Sequence, residues 1–187
     1  MPRIQPVDPA QAAGKTKELL DIVQKKMGSI PNIMKTMAQS PAVLEAYLGF
    51  SGAMATSSLP LALREQIALT VGETNRCGYC VAAHTVIGKK AGLTDLQAQE
   101  SRQGRSSDPK IHAALQFTRK MVESQASVKD ADIAKLREAG YGDTQIAELV
   151  AAISLNIFTN YFNHVADPVI DFPAPPPLRR QPLAAGL

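Results

Sequence analysis

Two cysteines, one histidine and one glutamate form the pattern in this chain that best predicts chemistry. Cys77 and Cys80 are the only cysteines, His84 follows four residues later, and Glu65 precedes them by twelve residues. A helix N-terminus stabilises a thiolate, because its free N–H groups and the helix dipole favour negative charge. Cys80 and His84 stand at i and i+4, so they would share one helix face. The pattern indicates thiol redox chemistry by a dithiol with a base beside it.

Glu65 stands in an apolar stretch of its predicted helix. Its neighbours one turn away on either side are Leu61, Ala62, Ala68 and Leu69. No Lys or Arg of the same helix is placed to pair with it, since Arg64 projects about 100° away. A buried carboxylate is costly unless it finds a partner. Glu65 is therefore either a proton-transfer group for the cysteines or an edge residue that reaches solvent or a base on another helix. The nearby cysteines favour the first interpretation.

The cysteine pair admits three interpretations: a redox dithiol, half of a metal site, or coincidence. Structural zinc usually takes four ligands, and only Glu65 and His84 could complete a set with Cys77 and Cys80. That set is uncommon, so the metal site ranks second. In a redox site, Cys80 is the better attacking thiolate, because His84 lies one turn ahead and Cys77 one turn behind to resolve the oxidised sulfur. A structural alternative for His84 is a hydrogen bond to a backbone carbonyl in the core.

Three further residues are candidates for the lining of the pocket. Tyr79, between the cysteines, is expected to pack rather than to hydrogen-bond in the site. Asn163 and His164 near the end of the last predicted helix could also line the pocket. For His164 a structural role is favoured, because a histidine at a helix C-terminus interacts well with the helix dipole.

The elements that must position these residues are all predicted to be helices, which makes the fold class all-α. No segment shows the strict alternation of a strand. The last helix carries a wide apolar stripe that suggests partner subunits. The predicted helices are Asp8–Met27, Asn32–Ala38, one from Pro41 to about Phe50, Leu61–Thr74, Cys77–Ala91, Thr94–Gln103, Pro109–Gln125, Lys129–Glu138 and Gly142–Val165.

Length and composition narrow the class of protein. The 187 residues fit a single domain over 1–166, with the redox motif in 59–93 and a proline-rich, extended or arm-like tail over 167–187. The net charge of +3 comes from scattered basic residues, which argues against a nucleic-acid partner. No apolar run reaches the roughly 20 residues of a membrane span, and the first residues do not resemble a signal peptide. We therefore expect a cytoplasmic protein with no membrane partner.

From Leu59 to Leu93 the sequence resembles the alkylhydroperoxidase D-like branch of the carboxymuconolactone decarboxylase superfamily. The resemblance rests on Glu65-x11-Cys77-x-x-Cys80-x3-His84, on the approach Leu59-Pro60-Leu61-x-Leu63-Arg64, and on Ala91-Gly92-Leu93-Thr94. It implies about eight to nine helices that assemble into homo-trimers or hexamers.

The resemblance also implies an activity and a role for each site residue. The activity is that of an antioxidant peroxidase of the alkylhydroperoxidase type, which reduces a small hydroperoxide without a cofactor or metal. Cys80 would be the peroxidatic cysteine, Cys77 the resolving one, and Glu65 with His84 the proton relay. The Cys77–Cys80 disulfide would then be reduced by a dithiol or a lipoyl-bearing protein. Well-characterised members carry a histidine where this chain has Tyr79, and decarboxylating members generally lack the cysteine pair.

Two alternatives to the peroxidase remain at this point. One is a non-enzymatic helical module in which the same four residues bind zinc or report the oxidative state. The other is an enzyme of the decarboxylase type that uses the pocket without thiol chemistry.

Overall fold

The computed structural model describes residues 1–178, and every regular element in this range is an α-helix. The prediction of an all-α fold is thereby confirmed. The helices are α1 (Gly14–Met27), α2 (Asn32–Met37), α3 (Pro41–Met54), α4 (Leu61–Thr74), α5 (Gly78–Lys90), α6 (Asp95–Arg102), α7 (Pro109–Glu123), α8 (Asp130–Glu138) and α9 (Asp143–Ala166).

The predicted start of the first helix at Asp8 is wrong, because α1 begins at Gly14. The Asp8 carboxylate does accept a hydrogen bond from the backbone N–H of Ala10, at 3.0 Å, but this closes only a short turn. Ala13 is extended at φ −133°, and Gly14 has a φ of +55°. This positive φ separates the turn from the helix. The other helices lie close to their predicted bounds, and α4 coincides with its prediction.

Helix α4 is the central element, in contact with α5, α6, α7 and α9. Besides a small cluster around Leu69 and Val81, the described residues form two larger apolar clusters. One joins α4 to α7 and α9 through fully buried residues such as Ile67, Leu115 and Ile153. The other is built from α1, α2 and α3 and includes Cys77 and Cys80. The redox motif is therefore part of a packed core rather than of a surface loop.

The apolar stripe predicted for the last helix is buried only in part. Leu149 and Ile153 are buried in the core, whereas Val150, Phe158 and Tyr161 are 38, 40 and 59% exposed. Tyr47 of α3 and Phe162 of α9 both contact Phe158. Helix α9 thus presents an exposed apolar face formed by Val150, Phe158 and Tyr161.

Both ends of the described chain pack against the redox region. The backbone N–H groups of Arg3 and Ile4 donate to the carbonyl of Ala166, at 2.9 and 3.2 Å, and so bind the C-terminal end of α9. The segment 167–178 has no helix or strand, as predicted, but it lies against the body instead of projecting as an arm. Arg102 donates to the carbonyl of Pro176. Residues 179–187 of the predicted tail lie outside the described residues.

No helix within residues 1–178 is long and apolar enough to cross a bilayer.

Candidate active site

The turn between α4 and α5 places the two cysteines. The N–H of Cys77 donates to the carbonyl of Gly72 at 2.8 Å, and Arg76 before it adopts a left-handed φ of 56°. Cys77 is the N-cap of α5, and its sulfur accepts a hydrogen bond from the N–H of Cys80 at 3.3 Å. A Cβ at Gly72 would lie 3.3 Å from Val81 and 3.4 Å from the Cβ of Cys80. Helices α4 and α5 therefore approach each other closely where the cysteines sit.

The structure holds Cys77 and Cys80 as a disulfide, with the two Cα atoms 5.3 Å apart. Both residues are buried, at 2 and 3% exposure. Asn163 of α9 points its amide at the sulfurs, with Nδ2 at 3.2 Å from the Cys80 sulfur and 3.8 Å from the Cys77 sulfur. The Oδ1 atom of Asn163 is buried and has no hydrogen-bond partner. Asn163 is thus a donor to the sulfur pair with a free acceptor beside it.

Glu65 and His84 form a pair across the interface of α4 and α5. The Nδ1 atom of His84 lies 2.7 Å from Oε2 of Glu65, and the two side chains are 23 and 11% exposed. A carboxylate can only accept, so Nδ1 carries the proton in this pair and Nε2 of a neutral ring is left as a base. The partner that Glu65 lacks on its own helix is therefore supplied by the next one.

Tyr79 packs as expected, but it also makes two hydrogen bonds that the sequence did not suggest. Its hydroxyl donates to Oδ1 of Asp171 at 2.7 Å and accepts from the N–H of Ile33 at 3.2 Å. The ring meets that of Phe172 edge to face. Burial raises the pKa of Tyr79 far above its ordinary value, with the neighbouring Asp171 acting in the same direction. Tyr79 therefore stays neutral and ties the C-terminal segment to α5.

His164 lies near the cysteines without contacting them. Its Nε2 donates to the carbonyl of Asn75 at 2.8 Å, which joins the end of α9 to the end of α4. It lines a cavity of about 250 Å³ together with Cys77, Asn163 and Arg3. His164 thus makes a structural contact and also lines the cavity beside Cys77.

Three further cavities adjoin the pair of sulfurs or the Glu65–His84 pair. We call the first, of about 60 Å³, the Cys80 cavity; it is lined by Cys80, His84 and Asn163 among apolar residues such as Ile87. The Glu65 cavity, of about 180 Å³, adjoins Glu65 and the other side of His84. The Cys77 cleft, of about 500 Å³, is lined by Cys77 and by the C-terminal segment. His84 therefore connects Glu65 with the space next to Cys80.

The site also depends on residues that sequence reasoning did not select. Asp171 accepts hydrogen bonds from Tyr79 and from the N–H of Asn32, the latter at 2.8 Å, and Phe172 lines two of the cavities. The apolar pair Ile170 and Phe172 beside Asp171 was the only signal in the tail that could have pointed to a docked segment. Within residues 1–178, no group of three or more His, Cys, Asp or Glu side chains is placed to hold a metal ion. The metal-site alternative thus has no ligand set in this part of the chain.

The central part of the chain matches the model of a known protein family. The model of the carboxymuconolactone decarboxylase family matches residues 41–120. An alkyl hydroperoxide reductase of Mycobacterium tuberculosis is 28% identical over 96 residues, which are 51% of this chain and 28% of that protein. The chain therefore matches little more than a quarter of the length of this relative.

Solved structures share the fold over nearly the whole chain. A peroxidase-related protein of Ralstonia eutropha JMP134, described as an alkylhydroperoxidase AhpD core, superposes with a TM-score of 0.81 at 24% identity. The similarity covers 91% of this chain and 92% of that one. The debrominase Bmp8 in complex with 2,3,4-tribromopyrrole gives a TM-score of 0.78 at 21% identity, over 90% of this chain and 91% of that one. At such identities these two likenesses establish the fold and leave the reaction open.

Proposed function

We propose that this chain is a thiol-dependent hydroperoxide reductase of the alkylhydroperoxidase D-like branch of the carboxymuconolactone decarboxylase superfamily, a proposal supported by the family match over residues 41–120 and by the shared fold. Cys77 and Cys80 are its redox pair, and Glu65 with His84 moves the protons. One observation carries the proposal: His84 is held by Glu65 on one side and lines the cavity of Cys80 on the other.

The first step takes place at Cys80 in the reduced enzyme. The Nε2 atom of His84 takes the proton of the Cys80 thiol, while Glu65 holds Nδ1 and stabilises the charge on the ring. The thiolate attacks the outer oxygen of the hydroperoxide, so that an S–O bond forms and the O–O bond breaks. The alkoxide that leaves takes the proton from His84 and departs as an alcohol. Cys80 becomes a sulfenic acid.

The second step closes the disulfide. Cys77 attacks the sulfur of the sulfenic acid, an S–S bond forms, and hydroxide leaves with the proton of the Cys77 thiol as water. The N–H of Cys80, 3.3 Å from the Cys77 sulfur, stabilises charge on this second thiolate. Asn163, 3.2 Å from the Cys80 sulfur, does the same for the first. Two thiols are oxidised and one hydroperoxide is reduced by two electrons.

The small, mainly apolar Cys80 cavity supports an organic hydroperoxide as the substrate. Its volume of about 60 Å³ suits the hydroperoxide group of such a substrate. The catalytic cycle then needs a thiol reductant to restore Cys77 and Cys80.

The proposed enzyme is an assembly of identical chains. The exposed side chains Val150, Phe158 and Tyr161 of α9 form an apolar face that a second copy would cover. Multi-angle light scattering should give a mass larger than that of one chain, and Phe158→Lys should lower it. A monomeric wild-type protein would refute this part of the proposal.

The function is tested by turnover of cumene hydroperoxide and hydrogen peroxide with dithiothreitol as the reductant. We expect turnover in the wild type, none in Cys80→Ser, and no disulfide in Cys77→Ser. Activity that persists in Cys80→Ser would show that the pocket acts without thiol chemistry. A disulfide that forms stoichiometrically with peroxide and does not turn over with any thiol would point to a redox-sensing module.

A further inference from the structure

The two sulfurs of the disulfide lie next to different cavities. Cys80 lines the Cys80 cavity with His84, whereas Cys77 lines the Cys77 cleft and the adjoining cavity beside Arg3. The Cys80 cavity and the Cys77 cleft have only Phe172 in common. A molecule in the cleft therefore lies against Cys77, and a molecule in the Cys80 cavity lies against Cys80.

The Cys77 cleft also differs from the Cys80 cavity in size and charge. It holds about 500 Å³, compared with about 60 Å³ for the Cys80 cavity. Arg76 and Arg102 both line it, and Arg102 is neutralised by its ion pair with Glu73 at 2.8 Å. The side chain of Arg76 is exposed and has no hydrogen bond or ion pair to any residue of 1–178. An unpaired positive charge thus stands directly before Cys77.

The C-terminal segment forms one wall of the cleft. Ile170 and Phe172 line it, and Asp171 between them is held by Tyr79 and by Asn32. A Cβ on Gly78 would lie 3.8 Å from the end of the Ile170 side chain. Gly78 and Ile170 therefore lie close together in the lining of the cleft beside Cys77.

We propose that the reductant enters through the Cys77 cleft, that it is a thiol carrying negative charge, and that it attacks the sulfur of Cys77. Arg76 attracts the anion and holds it close to the disulfide. The hydroperoxide takes the other route, through the Cys80 cavity. The assignment of the hydroperoxide to the Cys80 cavity rests on the proposed function, whereas the assignment of the reductant to the Cys77 cleft needs only the disulfide.

The electron balance of this reduction is complete with two thiols of the reductant. The first thiolate bonds to the sulfur of Cys77, the S–S bond breaks, and Cys80 leaves as a thiolate stabilised by the amide of Asn163. The second thiol of the reductant, as a thiolate, attacks the reductant sulfur of the mixed disulfide and releases Cys77. The protons of the two reductant thiols restore the thiols of Cys77 and Cys80. The reductant leaves as a disulfide, oxidised by two electrons.

The experiment compares three small thiols of the same length on the diamide-oxidised protein. They are 2-mercaptoethanesulfonate, which is anionic, 2-mercaptoethanol, which is neutral, and cysteamine, which is cationic. Iodoacetamide traps the first intermediate, and peptide mass spectrometry locates the mixed disulfide. We expect the mixed disulfide on Cys77 with Cys80 alkylated, and per thiolate the anionic thiol should react about fivefold faster than the neutral one. A mixed disulfide mainly on Cys80, or equal rates for the three charges, would overturn the proposal.

Variants on the two routes make the test independent of the thiol used. Arg76→Gln should abolish the preference for the anionic thiol, and so should high salt. Gly78→Val should slow reduction more than oxidation by cumene hydroperoxide, whereas Ile87→Phe, which narrows the Cys80 cavity, should slow oxidation more than reduction. Gly49→Ala on α3, with open space around it, is the control for both. An anionic preference that survives in Arg76→Gln would refute the role of that residue.

The failure of the proposed function gives a different result from the failure of this inference. A protein that does not react with hydroperoxide refutes the peroxidase, yet its diamide-formed disulfide still reports the attacked sulfur and the charge preference.

Discussion

The Nδ1 atom of His84 lies 2.7 Å from the Oε2 atom of Glu65, across the interface between α5 and α4. The two residues are 19 positions apart in the chain, and neither helix alone could form the pair. Because Glu65 accepts from Nδ1, the other nitrogen of the ring is available as a base next to the Cys80 cavity. We expect this pair to activate Cys80 for attack on the hydroperoxide.

Glu65→Gln should slow the oxidation of the reduced protein by cumene hydroperoxide about 100-fold or more, the usual range for the loss of a general acid–base group. The amide keeps the shape of the side chain but cannot stabilise the charged imidazole. Stopped-flow mixing with quench and thiol counting gives the rate constant. Glu138→Gln, at the exposed end of α8, is the matched control. An unchanged rate in Glu65→Gln would refute the relay.

Asn163→Leu should separate catalysis from stability. The substitution removes the amide donor to the Cys80 sulfur, so oxidation should slow by about tenfold, the equivalent of one hydrogen bond. It also removes the buried Oδ1 atom that has no partner, so the free energy of unfolding should not fall. Urea unfolding and single-turnover oxidation measure the two effects. Slower oxidation accompanied by an equal loss of stability would mean that Asn163 serves only the packing.

Tyr79→Phe should loosen the C-terminal segment. The hydroxyl that binds Asp171 and Ile33 is lost, which should lower the free energy of unfolding by about 1–2 kcal/mol. Hydrogen exchange of residues 168–176 should become faster, while the exchange of α7 stays unchanged. Identical exchange of the segment in both proteins would show that the hydroxyl does not hold it.

The same tyrosine gives a prediction for alkaline pH. Since burial raises the pKa of Tyr79 in the folded protein, the unfolded chain loses this proton first, above pH of about 10. The stabilisation is complete below that pH and is lost as pH rises further. Urea unfolding at pH 9 and pH 11 should therefore show a smaller loss of stability in Tyr79→Phe than in the wild type. Equal losses would contradict the raised pKa.

Gly72→Val should disturb the site through the backbone. Even a Cβ at this position would lie 3.3 Å from Val81 and 3.4 Å from the Cβ of Cys80, so the larger side chain must push α5 away from α4. Overpacking of this kind typically costs about 1–3 kcal/mol, and the peroxidase rate should fall with it. Gly52→Ala, in an open part of α3, should instead stabilise the protein slightly. Thermal unfolding distinguishes the two, and a neutral Gly72→Val would contradict the close approach.

Local features made most of the helices predictable. Helix α4 has proline before it and an apolar interior, and α7 has an Asp–Pro start whose Asp108 caps the N–H groups of Lys110 and Ile111. The same reasoning failed at Asp8, where the cap closes only a turn and the positive φ of Gly14 separates that turn from helix α1. A cap shows where a helix can begin, but not whether the following residues continue it.

The redox motif was predictable from residues close in sequence, whereas Asn163 was predicted only as a possible lining residue of the pocket and not as a donor to Cys80. The spacing of Cys77, Cys80 and His84 placed them on one helix, and the lack of a partner for Glu65 indicated one on another helix. The contact of Asn163 with Cys80 spans 83 positions, and that of Asp171 with Tyr79 spans 92. Such contacts depend on the packing of α9 and the tail, which no local pattern in the sequence encodes.

The most direct test of the proposed peroxidase is the anaerobic oxidation of the reduced protein by one equivalent of cumene hydroperoxide, with thiols counted before and after. The protein should lose both thiols of the chain within seconds and show a Cys77–Cys80 disulfide in the peptide map, and Cys80→Ser should show no such disulfide. If both thiols remain after many minutes, because oxidation is no faster than that of a free thiol in solution, the proposed peroxidase is contradicted.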